Sequence, residues 1–447
     1  VLGVLSFFLS VLAAGPGLLL GVVALYRIGA SKGRLVGNSL AFAGIACSAA
    51  STAMSMAVFL AAVTGLPWAW RFDAAPIEGD YTIEDLVYAG PEYDESWPLV
   101  ERLLTVEDSN STEDTRREVY EIGDSVFEAL RDGDLSGAMR ILSEHAATIE
   151  QAWEAARADR AIIRRLSEFE HINDLTPPTV GFGHAGTERF KHLGVLYPLY
   201  ATLQASRGDD MGACETLIEM DGMTRKLCVS ARDALVKLRG FIVLISDFAT
   251  AAFIVQLPET SEEVIRLLKG HLTRLSDAET SFANVAIYEY LALKHHVNSF
   301  PSGPVLKRNS TLRVLRNECD EIIAREQGRP FEPLCAWPEF YPYRPPVVAR
   351  EITMNGVYKH YNPAGCVFAA IAASRSDGLR VAESVRVTGE LFAIVAAMRL
   401  GEEYSLERPG GGDSFVVDAE RGIICRRGGE GEFDVALPID AEILGIR

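Results

Sequence analysis

The chain has 447 residues, enough for more than one ordinary domain, and carries 43 Lys and Arg against 61 Asp and Glu, a formal net charge of −18. Residues 1–71 hold four basic residues (Arg27, Lys32, Arg34, Arg71) and no acidic one, so the remainder sets 39 basic against 61 acidic residues, a net of −22. A body of that sign repels phosphate backbones and anionic lipid, which argues against nucleic acid as a partner and for solubility.

Two uncharged stretches open the chain, Val1 to Tyr26 and Leu35 to Trp70. Each exceeds the roughly 20 apolar residues needed to cross a bilayer. The turn between them, Arg27-Ile28-Gly29-Ala30-Ser31-Lys32-Gly33-Arg34, has only positive charges, so the positive-inside rule puts it in the cytoplasm and both long ends on the other side. Trp68 and Trp70 stand where an interfacial aromatic belt is expected. A cleavable signal peptide is the competing reading of the first span, but the span is too long and a second follows at once. The chain opens on Val1 rather than Met, and some sequence is expected before it. Small residues recur at four-residue spacing (Ser6, Ser10 and Ala14; Gly37 with Ala41; Gly44 with Ser48), which lets membrane helices approach closely. Gly15-Pro16-Gly17 should kink the first span. Neither span contains an ionisable side chain, which favours an anchor over a channel or proton relay.

Residues 4–64 resemble a widespread bacterial two-helix membrane domain of unknown function. The resemblance rests on the Gly/Pro break, on the turn Ala24-Leu25-Tyr26-Arg27-Ile28 with Ser31-Lys32-Gly33-Arg34, and on the small-residue run Leu40-Ala41-Phe42-Ala43-Gly44-Ile45. It implies membrane attachment, in a bacterial inner membrane, and no known chemistry.

Residues 72–112 are acidic, with scattered Pro, Gly and Ser, and read as a juxtamembrane connector. From 113 to 328 helical periodicity dominates. Val119, Ile122, Val126, Phe127 and Leu130 share one face before Arg131-Asp132-Gly133-Asp134, and Leu135, Met139, Ile141 and Leu142 follow. A similar unit recurs around Arg207-Gly208-Asp209-Asp210, with Leu193, Leu196, Leu199 and Leu203 before it and Met211, Ala213 and Leu217 after. Helix, Gly-Asp turn, helix resembles a tetratricopeptide-like hairpin, although no strict repeat register exists; an irregular bundle with the same turn chemistry is the alternative. The apolar run Phe241 to Val255 contains Asp247 and follows Arg239, and reads as a buried core helix rather than a third span. Glu259-Thr260-Ser261-Glu262 starts another helix. Helices then run to about His296 and over about Thr311–Arg325, with Glu279 and Glu289 read as marking a solvated side.

Residues 329–349 form a proline- and aromatic-rich linker, where Pro density forbids regular structure. The last region, 350–447, reads as a small α+β unit. Asn362-Pro363-Ala364-Gly365 opens one helix, Asp377 to Arg399 forms a longer one, and strands fall at Ser414–Val417, Gly422–Arg426 and Phe433–Leu437. This end loosely resembles the globular part of a type II secretion pseudopilin. The pilin-type N-terminal helix is missing, so no pseudopilin function is carried over. The expected fold class is therefore mainly α: a two-helix transmembrane hairpin over 1–71, an extracytoplasmic helical bundle or repeat domain, and a small α+β end.

Seven cysteines form no CxxC pair or Cys/His ligand set. Cys214 and Cys228 share a predicted helix, where fourteen residues span about 21 Å, beyond disulfide reach; Cys319–Cys335 and Cys366–Cys425 remain open as bridges in an oxidising compartment. No nucleophile elbow, Walker A loop, HExxH or dinucleotide fingerprint occurs, so no catalytic residue, metal or cofactor is expected. Glu168 and His171 form a single ExxH pair, half of what a di-iron bundle needs. His295-His296 closes a helix, where imidazolium suits the carbonyl end. The stretch Thr176-Pro177-Pro178-Thr179-Val180-Gly181-Phe182-Gly183-His184-Ala185-Gly186 is the best candidate for a functional loop, and a plain inter-helix crossover is the simpler reading. The ligand-binding candidates are Glu168, His171 and His184. Two functions are left standing. The first is a membrane-anchored, non-catalytic interaction or scaffold module, with the bilayer as partner through residues 1–71 and a protein or peptide on its helical surface. The second is an extracytoplasmic enzyme or ligand binder centred on 171–190.

Overall fold

The computed structural model describes residues 76–104, 113–178, 187–272, 274–299, 308–330, 376–407, 414–418, 422–426 and 436–439. Both apolar spans, the linker from 331 onward and the Asn362 helix start lie outside the described residues, as do Cys335, Cys366 and His184. Residues 76–77 and 308–311 group with a separate unit; the other described residues share one compact unit, to which the following refers.

The unit is mainly helical with a small antiparallel sheet at its C-terminal end. Its first piece is a strap holding two 3-10 segments, Ile83–Asp85 and Pro91–Ser96, and helix α1 (Trp97–Leu104). Val100, Leu103 and Leu104 of α1 are buried in the same core as the helices that follow. Residues 78–104 are therefore part of this unit.

Helix α2 (Glu113–Arg131) leads through a Gly-Asp turn into α3 (Leu135–Glu144), followed by α4 (Ala146–Ala155) and α5 (Arg157–Glu168). Val119, Ile122, Val126 and Leu130 form the buried face that the periodicity predicts. Helices α6 (Glu188–Ser206) and α7 (Asp210–Ser230) repeat the pairing. The two turns are alike in detail. Gly133 and Gly208 take φ of 78° and 83°, the left-handed conformation that closes a helix with least strain when the residue lacks a Cβ. The next amide reaches back to the preceding helix, Asp134 N to Ala129 O at 2.9 Å and Asp209 N to Gln204 O at 3.0 Å. Each Asp then caps the following helix by accepting from Gly137 N at 2.8 Å or Gly212 N at 3.0 Å.

Helix α8 (Ala234–Gln256) is the axis of the unit. Among the described residues it is the one helix long and apolar enough to cross a membrane, yet 67% of its apolar window is covered by neighbouring protein. Apolar character on all sides is what a helix enclosed in a core needs. Helices α6 and α7 flank it, and α13 (Ser376–Leu400) packs along it. Its neighbours approach closely through glycines. A Cβ at Gly240 of α8 would stand 2.6 Å from Cys228 Sγ of α7, one at Gly389 of α13 would stand 3.0 Å from the Phe248 ring, and one at Gly194 of α6 would overlap Val243.

After α8, Ser261 caps α9 (Glu262–His271) and Ser276 caps the single turn α10 (Asp277–Thr280). Helices α11 (Ala283–Ser299) and α12 (Arg308–Glu326) complete the series before α13. Strands β1 (Phe415–Asp418), β2 (Ile423–Arg426) and β3 (Ala436–Pro438) pair antiparallel in that order, with Val416 opposite Cys425 and Ile424 opposite Leu437. Phe415, Ile424 and Leu437 join the main core, and Gln256 at the end of α8 donates to Pro438 O at 2.7 Å. The C-terminal region is thus packed into the helical body rather than set apart at 329–349: α13 covers a face of α8 that would otherwise be bare.

Replacing Gly240 by Ala should lower stability by about 1–3 kcal/mol, the range for overpacking a filled core. Adding Cys228→Ala should restore part of the loss. Urea unfolding of the two variants in mild detergent checks this; equal loss in the single and double variants would remove the Sγ contact as the cause.

Candidate functional site

Two of the three ligand candidates fall among the described residues. Glu168 is exposed and pairs with Arg165 at 2.6 Å. His171 is exposed, stands edge-on to Tyr93 with ring centroids 5.0 Å apart, and has Glu170 at 3.9 Å. His184 lies outside the described residues. Among the described residues no group of three or more His, Cys, Asp or Glu is placed to hold a metal ion.

The start of the 171–186 stretch is nailed into the body. Asn173, Asp174 and Thr176 are buried. Asn173 donates to Gly90 O at 2.9 Å and accepts from Ala89 N at 3.0 Å, which ties the strap to this crossover. Asp174 accepts from the Thr176 hydroxyl at 2.6 Å and from Arg232 N at 2.9 Å, and the Arg232 guanidinium donates to Thr176 O at 3.0 Å. Tyr288 of α11 donates to Pro177 O at 3.1 Å. Up to residue 178 the stretch is a structural crossover.

Where α6 begins beyond that loop, cations gather. Thr187 gives α6 no side-chain cap, and Glu188 is the one acid of its first turn. Lys191 lies on the first turn, its ammonium 4.5 Å above the ring of Tyr120 from α2, and His192 packs edge-on against the same ring at 6.0 Å. Arg116 sits one turn before Tyr120 on α2, and Arg239 arrives from α8. Glu188 is the acid among them, 2.9 Å from Arg239 and 3.7 Å from Lys191. Arg116 Nε, Arg239 Nη1 and both ring nitrogens of His192 are buried without a hydrogen-bond partner. Burial and the nearby Arg116 guanidinium push His192 down to about 4, so it is neutral at physiological pH. Burial and the Glu188 carboxylate hold Tyr120 up at about 12, so it stays a phenol.

A second polar cluster fastens the strap. Asp80 accepts from Tyr290 Oη at 2.6 Å, lies 2.7 Å from Lys294 Nζ on α11, and is 3.3 Å from Arg316 Nη1 on α12. Burial alone raises this carboxyl, but the hydrogen bonds from Lys294 and Tyr290 outweigh it and the net shift is downward. The Arg316 guanidinium lies 3.5 Å over the Tyr81 ring, and Tyr81 Oη donates to Asp320 at 2.7 Å.

A third set is enclosed by α7, α8 and α10. Arg225 pairs with Asp221 at 2.7 Å and with Glu279 at 3.3 Å. Asp247, fully buried on α8, has no hydrogen-bond partner for either carboxylate oxygen. Burial drives Asp247 well above the usual carboxylate range, with the Asp221 charge adding to it, and burial also takes Asp221 up to about 6 against the pull of Arg225. Lys237 is equally enclosed; its ammonium bonds Cys228 O, and burial lowers it. Glu279 is paired and Glu289 is buried, so the expectation that they mark a solvated side is corrected: periodicity cannot tell a polar residue facing water from one facing a partner. No protein-family model matches this chain, and comparison with curated proteins and with solved structures gives no match.

Two pH effects of opposite sign should coexist. His192 takes a proton in the unfolded chain near 6.5 but in the folded chain only near 4, so its contribution is intact above that window and lost as pH falls through it. The loss is about 3 kcal/mol between pH 7 and 4, and His192→Gln should flatten that part of the pH–stability curve. Asp247 behaves oppositely: its raised carboxyl makes the fold most stable below 3.8 and less stable as pH rises. Asp247→Asn should therefore be more stable than the parent at pH 7, with the gain shrinking on acidification. Thermal melts between pH 4 and 8 read both; an Asp247→Asn gain independent of pH would show that the carboxyl does not titrate with folding.

Proposed function

We propose that this is a two-pass anchored protein of a bacterial inner membrane whose helical body stands outside the cytoplasm and serves as a non-catalytic interaction or scaffold module. The observation that carries the reading is the clamp on Asp80. Trp70 ends the second uncharged stretch, and Asp80 is held by Tyr290, Lys294 and Arg316 only ten residues later. Ten extended residues reach at most about 35 Å, which bounds the length of the tether between Trp70 and Asp80. Such a short tether suits a module that acts on something at the membrane surface. The strap also leaves Ile83, Val87 and Tyr88 exposed, three large apolar side chains within eight residues of Asp80. The matching turns after α2 and α6 support a pair of tetratricopeptide-like hairpins, which present side chains along a shared face.

A ligand-binding role near 171–190 is the second reading, and the excess of cations over the single Glu188 carboxylate around Lys191 favours it. For the anchored topology, single cysteines at Ser31 and Asn110 are labelled with an impermeant maleimide in intact bacterial cells and compared with the unsubstituted chain. Asn110→Cys should react and Ser31→Cys should not. The reverse pattern would place the body in the cytoplasm, and labelling of both in cells that remain sealed would remove the spans.

A further inference from the structure

We propose that the cluster formed by Arg116, Lys191, His192 and Arg239 at the start of α6 is a binding site for a phosphate group. Three lines meet there. The first is charge. Arg116, Lys191 and Arg239 set three positive charges against the one Glu188 carboxylate, in a protein that is otherwise strongly acidic. Arg116 makes no ion pair among the described residues, and Glu188 is shared by the other two. The net excess matches a dianion, and phosphate is close to doubly charged at neutral pH.

The second is unmet hydrogen bonding. Arg116 Nε and Arg239 Nη1 are buried donors with no acceptor, and His192, 3% exposed, uses neither ring nitrogen. Buried donors of this kind are costly, because burial removes water and nothing replaces it. An oxyanion among them would satisfy several at once, with charge-assisted bonds that are the strong ones. The third is the start of α6, where Thr187 supplies no side-chain cap. The N-terminal end of a helix favours an anion, and phosphate oxygens suit it in number and charge. The floor is polar without being acidic: Tyr120 keeps its phenol proton, carries Lys191 on its face and reaches the Glu188 carbonyl at 3.5 Å. Arg189, the remaining cation of the first turn, faces away, 3.6 Å from Asp159 and bonded to Arg102 O at 2.6 Å.

The same chemistry serves inorganic phosphate, a phosphorylated small molecule or an anionic lipid headgroup. The site stands whichever side of the membrane the body occupies, so its test is separate from the topology experiment. The full chain, purified in mild non-ionic detergent, is titrated with sodium phosphate at constant ionic strength set with chloride, and melting and titration calorimetry are followed. A second arm places it in nanodiscs with and without phosphatidylglycerol. The expected result is a saturable rise in melting temperature with one phosphate bound per chain, weakened at least tenfold by Arg116→Ala and by Lys191→Ala. Lys191 is half-exposed, so its removal leaves the core in place and decides the matter if Arg116→Ala does not fold. A Lys191-dependent response to phosphatidylglycerol without one to inorganic phosphate identifies the headgroup as the source and supports the site. Absence of both responses, or responses that Lys191→Ala leaves unchanged, would overturn it.

Discussion

The close approach of three helices to α8 is the constraint on which the rest depends. Gly194 of α6 faces Val243, Gly240 of α8 itself faces Cys228 of α7, and Gly389 of α13 faces Phe248. At each place a side chain on one helix occupies the space a Cβ would need on the other. Ridges can then seat deeply in grooves, and the axis helix is enclosed on several sides. Because α6, α7 and α13 are set by α8, so are the elements they carry: α1 and α2 through α6, and the sheet through Gln256 at the end of α8.

Enclosure of that completeness makes polar groups on α8 costly, and the chain places several there. Arg239, Lys237 and Asp247 sit on one helix, at three depths and with three outcomes. Arg239 reaches Glu188 and keeps one donor unpaired; Lys237 finds a backbone carbonyl and two aromatic rings, Phe241 and Phe282, at 5.5 and 5.9 Å; Asp247 finds nothing and is driven toward its neutral form. The Asp221–Arg225–Glu279 group beside it is better satisfied because Arg225 is shared by two carboxylates. Buried ionic groups of this kind seldom maximise stability, since desolvation offsets much of the Coulomb gain. Their effect here is to distinguish the correct packing of α7, α8 and α10 from apolar alternatives of similar shape.

Two of the polar clusters bear on function through their positions. The Asp80 clamp joins the start of the strap to α11 and α12. The cations at the start of α6 lie immediately beyond the Gly-rich loop, on a first turn without a cap. In one case all the charges are paired and the arrangement is structural. In the other, donors remain unpaired after folding.

Local elements were legible in the sequence wherever one residue and its near neighbours decide them. The long helix expected over Asp377 to Arg399 is α13 to within a residue, the three terminal strands fall within a few residues of their expected places, and the Gly-Asp turns form as their chemistry requires. Asp247 and Arg239 in the apolar run were enough to identify α8 as a core helix. Of the candidate residues that the structure describes, Glu168 pairs with Arg165 on its own helix and His171 stands against Tyr93 of the strap, a contact no local pattern announces. The strap's burial, the pairing of Glu279 and the meeting of Arg116, Lys191, His192 and Arg239 were decided by tertiary structure alone. Each joins residues tens of positions apart, and hydrophobic periodicity specifies which face of a helix turns inward but not which polar group on another helix will be waiting there.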